Sequence, residues 1–170
     1  MAVIKNFLEK YAGRKSLIIL FAMIMVFNLL LFPLFMPAND DTKPLDIMFA
    51  YSPAEAYEVI SSLGDAGRQN YIKGLLFLDF IYPVIYSLFL GFSIFLLYRN
   101  PLLSASPLLI LLSDYIENTG IIIMLSLYPS EIVSIAWITS FFTSLKWTLA
   151  GLAVLVTLIG LLRRIRLSLL

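Results

Sequence analysis

Residues 71–98 read YIKGLLFLDFIYPVIYSLFLGFSIFLLY, and after Arg99-Asn100-Pro101 residues 102–128 read LLSASPLLILLSDYIENTGIIIMLSLY. Each run exceeds the roughly 20 residues that a helix needs to cross a hydrocarbon core, and only a tight turn separates them. Lipid offers open backbone groups no hydrogen-bond partner, so both runs read as helices, and so short a turn makes them antiparallel neighbours. What does not belong in such a hairpin is its charge: Asp79 in the first run, Asp114 and Glu117 in the second.

Two further apolar runs flank this hairpin, at about 16–36 and 132–162. The last is joined to its predecessor through Tyr128-Pro129-Ser130-Glu131. The reading is an all-α integral membrane protein: a four-transmembrane-helix up-down bundle forming one membrane domain over 1–170, with spans at about 16–36, 71–98, 102–128 and 132–162. Composition agrees, with 61% apolar and 14% charged residues, where a soluble domain has about half and a quarter. Cysteine is absent, which excludes disulfides, thiolate metal sites and cysteine nucleophiles. Histidine is absent too, removing the commonest metal ligand and the usual general base. No cofactor, metal or nucleic-acid partner is expected.

The first run has the basic flank of a signal peptide, but it is longer than the usual core of about 7–15 residues. Its one small-residue cleavage point, near Ala38, has Met36 where a small residue is wanted. It is therefore expected to remain as a transmembrane helix. Orientation follows from the basic residues. Lys5, Lys10, Arg14, Lys15, Arg99, Arg163, Arg164 and Arg166 fall on one side, against Lys43, Arg68 and Lys73 on the other. Both termini are expected in the cytosol, with the chain in the cell membrane. The arginines of the tail read as a topology signal that can also touch anionic lipid.

The long connection 37–70 reads as a small helical cap in the first outer loop. Ser52-Pro53-Ala54-Glu55 is a capping box with proline at the first helical position. Ala54, Tyr57, Ile60 and Leu63 then recur at helical spacing, Gly64 supplies a stop, and Asp65 can cap the turn leading into the second span. Such a helix either lids the bundle mouth or rests in the interface. Tyr51, Tyr71, Tyr98 and Tyr128 read as interfacial anchors.

A charge at the bilayer centre costs at least about 2.5–3.5 kcal/mol, so Asp79, Asp114, Glu117 and, in the fourth span, Lys146 each require a physical reason to be there. Spacing puts Asp114, Glu117 and Asn118 on one face, and Asp79, Tyr82 and Tyr86 on another near Pro83. Thr139, Thr143, Lys146 and Trp147 align on the fourth helix, and Asn28 is the polar residue of the first. Turned inward, these stripes form a polar pocket under the cap. The candidate ligand-binding set is thus Asn28, Asp79, Tyr82, Tyr86, Asp114, Glu117, Asn118, Thr143 and Lys146. Lys146 is expected to pair with Glu117, leaving Asp79 as the accessible acid nearest the mouth.

The layout of four helices, a structured first outer loop and an acid near a proline (Leu78-Asp79-Phe80-Ile81-Tyr82-Pro83) resembles that of the EXPERA-type sterol isomerases and sigma-2-like receptors. The resemblance is one of architecture: no motif is shared, the histidine expected of an isomerase site is missing, and no site residue follows from it.

Three functions compete. The excess of carboxylates suits binding or transport of a cation, a proton or a small amphipathic, lipid-like ligand. A structural subunit of a larger membrane complex would turn the charges to a membrane-protein partner. A lipid-modifying enzyme would use the acids as an acid–base pair, but no nucleophile stands beside a histidine, so the reading leans away from catalysis.

Overall fold

The computed structural model describes residues 2–35 and 43–168, and all regular structure among them is helical. Position 38 and the acids Asp40 and Asp41 lie outside the described residues. In chain order the helices are α1 (Ala2–Tyr11), α2 (Arg14–Leu34), α3 (Pro53–Ser62), α4 (Gly64–Tyr98), α5 (Pro101–Leu127) and α6 (Val133–Leu167). Of these, α2, α4, α5 and α6 are long and apolar enough to cross a membrane.

Two boundaries move. The second helix begins at Gly64 rather than near 71, and the fourth runs to Leu167 rather than 162. Hydropathy marks where lipid stops; a helix carries on past that edge for as long as its backbone bonds close. A third element, α1, takes the basic stretch before the first span and bends off from α2 at Ala12-Gly13. The Ser16 hydroxyl donates to the Tyr11 carbonyl at 2.7 Å there, occupying an acceptor that the end of α1 leaves open.

α4, α5 and α6 pack on one another, while α2 leans on α4. The α5–α6 seam is close because Gly120 faces Thr139: a Cβ at 120 would collide with the Thr139 side chain. At the other end of α6, Gly160 meets Leu97 and Tyr98, and the Tyr98 hydroxyl donates to the Val156 carbonyl at 2.8 Å. Tyr98 is thus a packing residue there. The α4–α5 turn works through Arg99, left-handed at φ 55°, and Asn100, whose Oδ1 accepts from the N–H of Leu102 and Leu103 at 3.0 and 3.2 Å. The Tyr128–Pro129 bond between α5 and α6 is cis.

Both α2 and α4 loosen by one residue. Phe27–Leu31 and Leu75–Asp79 are π turns, the second closed by the Phe80 N–H on the Leu75 carbonyl at 3.0 Å. Pro83, which has no N–H to donate, follows as the α-helical half of α4 begins.

The cap docks on the bundle. Ser52 and Glu55 form the expected capping box, with the Ser52 N–H on Glu55 Oε2 at 2.7 Å and the Glu55 N–H on Ser52 Oγ at 3.3 Å. Its buried stripe is Ala56, Tyr57 and Ile60; Ala54, expected on that face, is exposed and Leu63 only half-buried. The face is rotated because the buried neighbours come from α4, α5 and α6 together: Leu75, Ile121, Met124, Leu125 and Ala136. Fully burying a side chain such as Leu45 or Ile60 stabilises by about 1.5–3 kcal/mol. The Tyr57 hydroxyl accepts the Ile132 N–H at 2.6 Å, fastening α3 to the start of α6. Asp65 does not cap α4; it pairs with Arg68, whose guanidinium lies over the Tyr128 ring at 4.3 Å.

Candidate functional site

Beneath the cap, one face each of α4, α5 and α6 meets the 3-10 turn Leu45–Ile47. Spacing on α5 sets Asp114, Glu117 and Asn118 side by side, and all three are buried. Lys146 of α6 reaches across to them, its Nζ 2.6 Å from Glu117 Oε2, so the expected ion pair is formed. The same ammonium donates to the carbonyl oxygen of Asp46 at 3.1 Å. Thr143, one turn before Lys146, is fully enclosed, and its hydroxyl donates to the Thr139 carbonyl at 3.0 Å.

Asp114 is held from two sides: the Tyr86 hydroxyl donates to its Oδ2 at 2.6 Å, and Asn118 Nδ2 donates to its Oδ1 at 2.9 Å. Asn118 Nδ2 also donates to the backbone carbonyl of Asp79 at 3.0 Å, stitching α5 to the π turn of α4. With both amide hydrogens turned to acceptors, Asn118 Oδ1 is buried without a donor among the described residues, and so is Glu117 Oε1. Leaving such an atom unsatisfied costs about 1–3 kcal/mol.

Asp79 departs from expectation. It is only 6% exposed, so it is not the accessible acid at the mouth. Its carboxylate makes no hydrogen bond among the described residues. Asn28 and Tyr82 stand apart: Asn28 is on the exposed side of α2, and its Nδ2 donates to the Tyr82 hydroxyl at 2.7 Å and to the Ile24 carbonyl at 2.8 Å. That pair fastens α2 to α4, and Tyr82 also stacks on Phe27 and meets Phe32 edge-on. Trp147, expected on the polar stripe, is 41% exposed, with Lys146 Nζ 5.4 Å from its ring centre.

Three members were missed from the sequence. Asp46 is buried beside Lys146, close enough to Asp79 and Asp114 to act on both electrostatically. Tyr71 is buried rather than interfacial; its hydroxyl donates to the Asp46 carboxylate and accepts the Asp46 N–H. Tyr51 is buried beside Thr143, and its hydroxyl finds no partner of good geometry among the described residues. Burial pushes the Tyr51 phenol above its ordinary pKa; the Thr143 hydroxyl opposes that, while the charges of Glu117 and Asp46 add to it. The available signal for Asp46 was an acid inside an apolar run, Leu45-Asp46-Ile47-Met48-Phe49.

The arrangement is a buried, acceptor-rich cluster: Glu117 pairs with the Lys146 ammonium, and the carboxylates of Asp46, Asp79 and Asp114 lie near enough to act on it electrostatically. Among the described residues no three acidic groups converge as ligands for a metal ion.

No family model, no curated protein and no solved structure matches this chain.

The backbone that roofs the cluster is tied down too. The Tyr51 N–H donates to Ser140 Oγ at 3.0 Å, and the Ser144 hydroxyl donates to the Phe49 carbonyl at 2.9 Å. Beside this seam lies a cavity of about 460 Å³, walled by Tyr51, Glu55, Trp137 and Phe141 among others.

Proposed function

We propose that this membrane protein binds a positively charged guest in the cluster under its cap: a proton, or the ammonium group of a small amphiphile. The observation that carries the reading is the imbalance of the site. Glu117 alone pairs with Lys146 while three further buried carboxylates, Asp46, Asp79 and Asp114, lie near enough to act on it, and among the described residues Glu117 Oε1 and Asn118 Oδ1 are buried acceptors with no donor. Desolvated like charges are expensive, and added positive charge that also donates hydrogen bonds relieves both deficits at once. A chelated metal ion fits less well, since no ligand set converges among the described residues.

A second reading is supported by the links from Lys146 to the Asp46 carbonyl and from Tyr71 to the Asp46 carboxylate, which latch the cap to the bundle. On that reading the charges are structural. Thermal stability of the purified protein in detergent, from pH 5 to 9, separates the two when measured with sodium, potassium, tetramethylammonium and a long-chain primary amine. A guest at about a hundred times its Kd adds about 2.7 kcal/mol. The binding reading expects that gain in the parent and its loss in Asp79→Asn, with the fold retained. If nothing stabilises the parent and Asp79→Asn matches it at every pH, the structural reading stands.

The basic residues support cytosolic termini in the cell membrane. Because the chain lacks cysteine, single cysteines at Lys5, Asn100 and Ser130 report cleanly. An impermeant thiol reagent outside intact cells is expected to label 130 and spare 5 and 100; labelling at 100 overturns the orientation.

A further inference from the structure

We infer that α1 and the basic residues around it form a foot that docks on anionic lipid headgroups at the uncapped end of the bundle. The foot does not depend on what the buried cluster binds.

α1 is amphipathic: Val3, Ile4, Phe7, Leu8 and Tyr11 fall on one stripe at helical spacing, with Lys5, Glu9 and Lys10 off it. The protein covers only one edge of that stripe. Leu8 is buried among Leu20, Phe92 and Phe95, and Phe7 meets Phe92 at 6.0 Å between ring centres. Val3 is left 82% exposed, with Phe7 and Tyr11 near half exposed. The packing of α1 on α4 and on the first turn of α5 fixes it at the end of the bundle where Arg99 caps α4. An apolar stripe held at the end of a transmembrane bundle lies where headgroups meet acyl chains, and that boundary is what covers such a face.

Charge then selects the lipid. Lys5, Lys10, Arg14 and Lys15 come from α1 and the start of α2, and Arg99 from the α4–α5 turn. α6 runs past its contact with Leu97 and Tyr98 at Gly160 and carries Arg163, Arg164 and Arg166 onward at the same end. Among the described residues the acid at this end is Glu9, which faces Lys5 at 3.8 Å. A zwitterionic surface supplies no counter-charge to so one-sided a set; an anionic leaflet does.

The test uses the full chain with Val3→Cys carrying an environment-sensitive fluorophore, in nanodiscs of phosphatidylcholine alone or with about 30% phosphatidylglycerol, enough to give an anionic surface potential. Residue 3 touches little, so the label leaves the fold intact. Expected are blue-shifted emission and quenching by brominated acyl chains, both stronger in the anionic discs and weakened by high salt. Lys5→Gln with Lys10→Gln is expected to lower the ratio of buried to water-exposed label about fivefold per basic residue removed. Equal burial in both lipids, or no effect of the double variant, overturns the anionic preference. Emission like that in water in every disc overturns the foot altogether and leaves the surface to a protein partner.

Discussion

α2 and α5 both cross the membrane, yet the more apolar of the two is the less enclosed: almost none of α2 is buried in protein, against nearly half of α5. In a soluble protein the order would be reversed. Ile18 and Leu29 of α2 are each 69% exposed, while Glu117 of α5 is fully buried. Where lipid is the solvent, an apolar side chain is already at home on the surface, and polar groups are what must be gathered inside. The two helices therefore depend on different things, α2 on the bilayer and α5 on its neighbours.

The largest test of that contrast strikes the gathered side. Lys146→Met leaves Glu117 buried and unpaired, and is expected to cost about 3–5 kcal/mol. Adding Glu117→Gln should restore much of the loss, because it removes the stranded charge. Denaturant unfolding of both variants in mixed micelles checks this, and a double variant as unstable as the single one would refute the pairing.

A smaller effect is expected at the cap, which faces water. Ser52→Ala removes the N-cap acceptor and should cost about 1 kcal/mol, seen as faster hydrogen exchange across residues 53–62. The Ser52 N–H and hydroxyl hold the Glu55 carboxyl below its ordinary pKa. A lowered folded pKa adds stability above the ordinary carboxylate range, and that stability goes as the pH falls through the lowered value. Protection factors across the cap, which are corrected for the intrinsic slowing of amide exchange in acid, should thus fall in acid, and Glu55→Gln should flatten that pH dependence. The smallest effect belongs to the lipid side: Ile18→Ala and Leu29→Ala are expected to stay within about 0.5 kcal/mol of the parent. A larger loss in the same unfolding assay would mean that another protein covers this face of α2.

How much of this was legible beforehand follows the same division. The spans were readable because a run of about 20 consecutive apolar residues seldom occurs outside a membrane helix. The Lys146–Glu117 pair was readable because isolated charges in lipid are so costly that each demands a partner. Asp46 was harder to read, since in a loop an acid needs no excuse and its one signal was the short apolar run around it; the fold carries it under Tyr71 and beside Lys146. Tyr51 and Tyr71 were misread for a related reason: tyrosine near a span boundary usually marks the headgroup level, and here the cap closes over both. α1 escaped notice because ten residues with three charges look like flanking sequence until Gly13 turns the chain aside.

The π turn at Leu75–Asp79 has a genealogical side. A π turn closes its bond over five residues where an α turn uses four, so one residue is surplus to the helix on either side of it. Deleting any one residue between 75 and 79 would let the ladder of bonds close as ordinary α-helix while the two halves kept their phase, because the widened turn takes up the extra residue within about the same rotation. Tyr71 would keep facing Asp46 and Tyr86 would keep its hold on Asp114. The spare residue is thus an insertion that the helix has absorbed, and a descendant that lost it would keep four spans, an almost unchanged hydrophobic profile and the fit of its own lid.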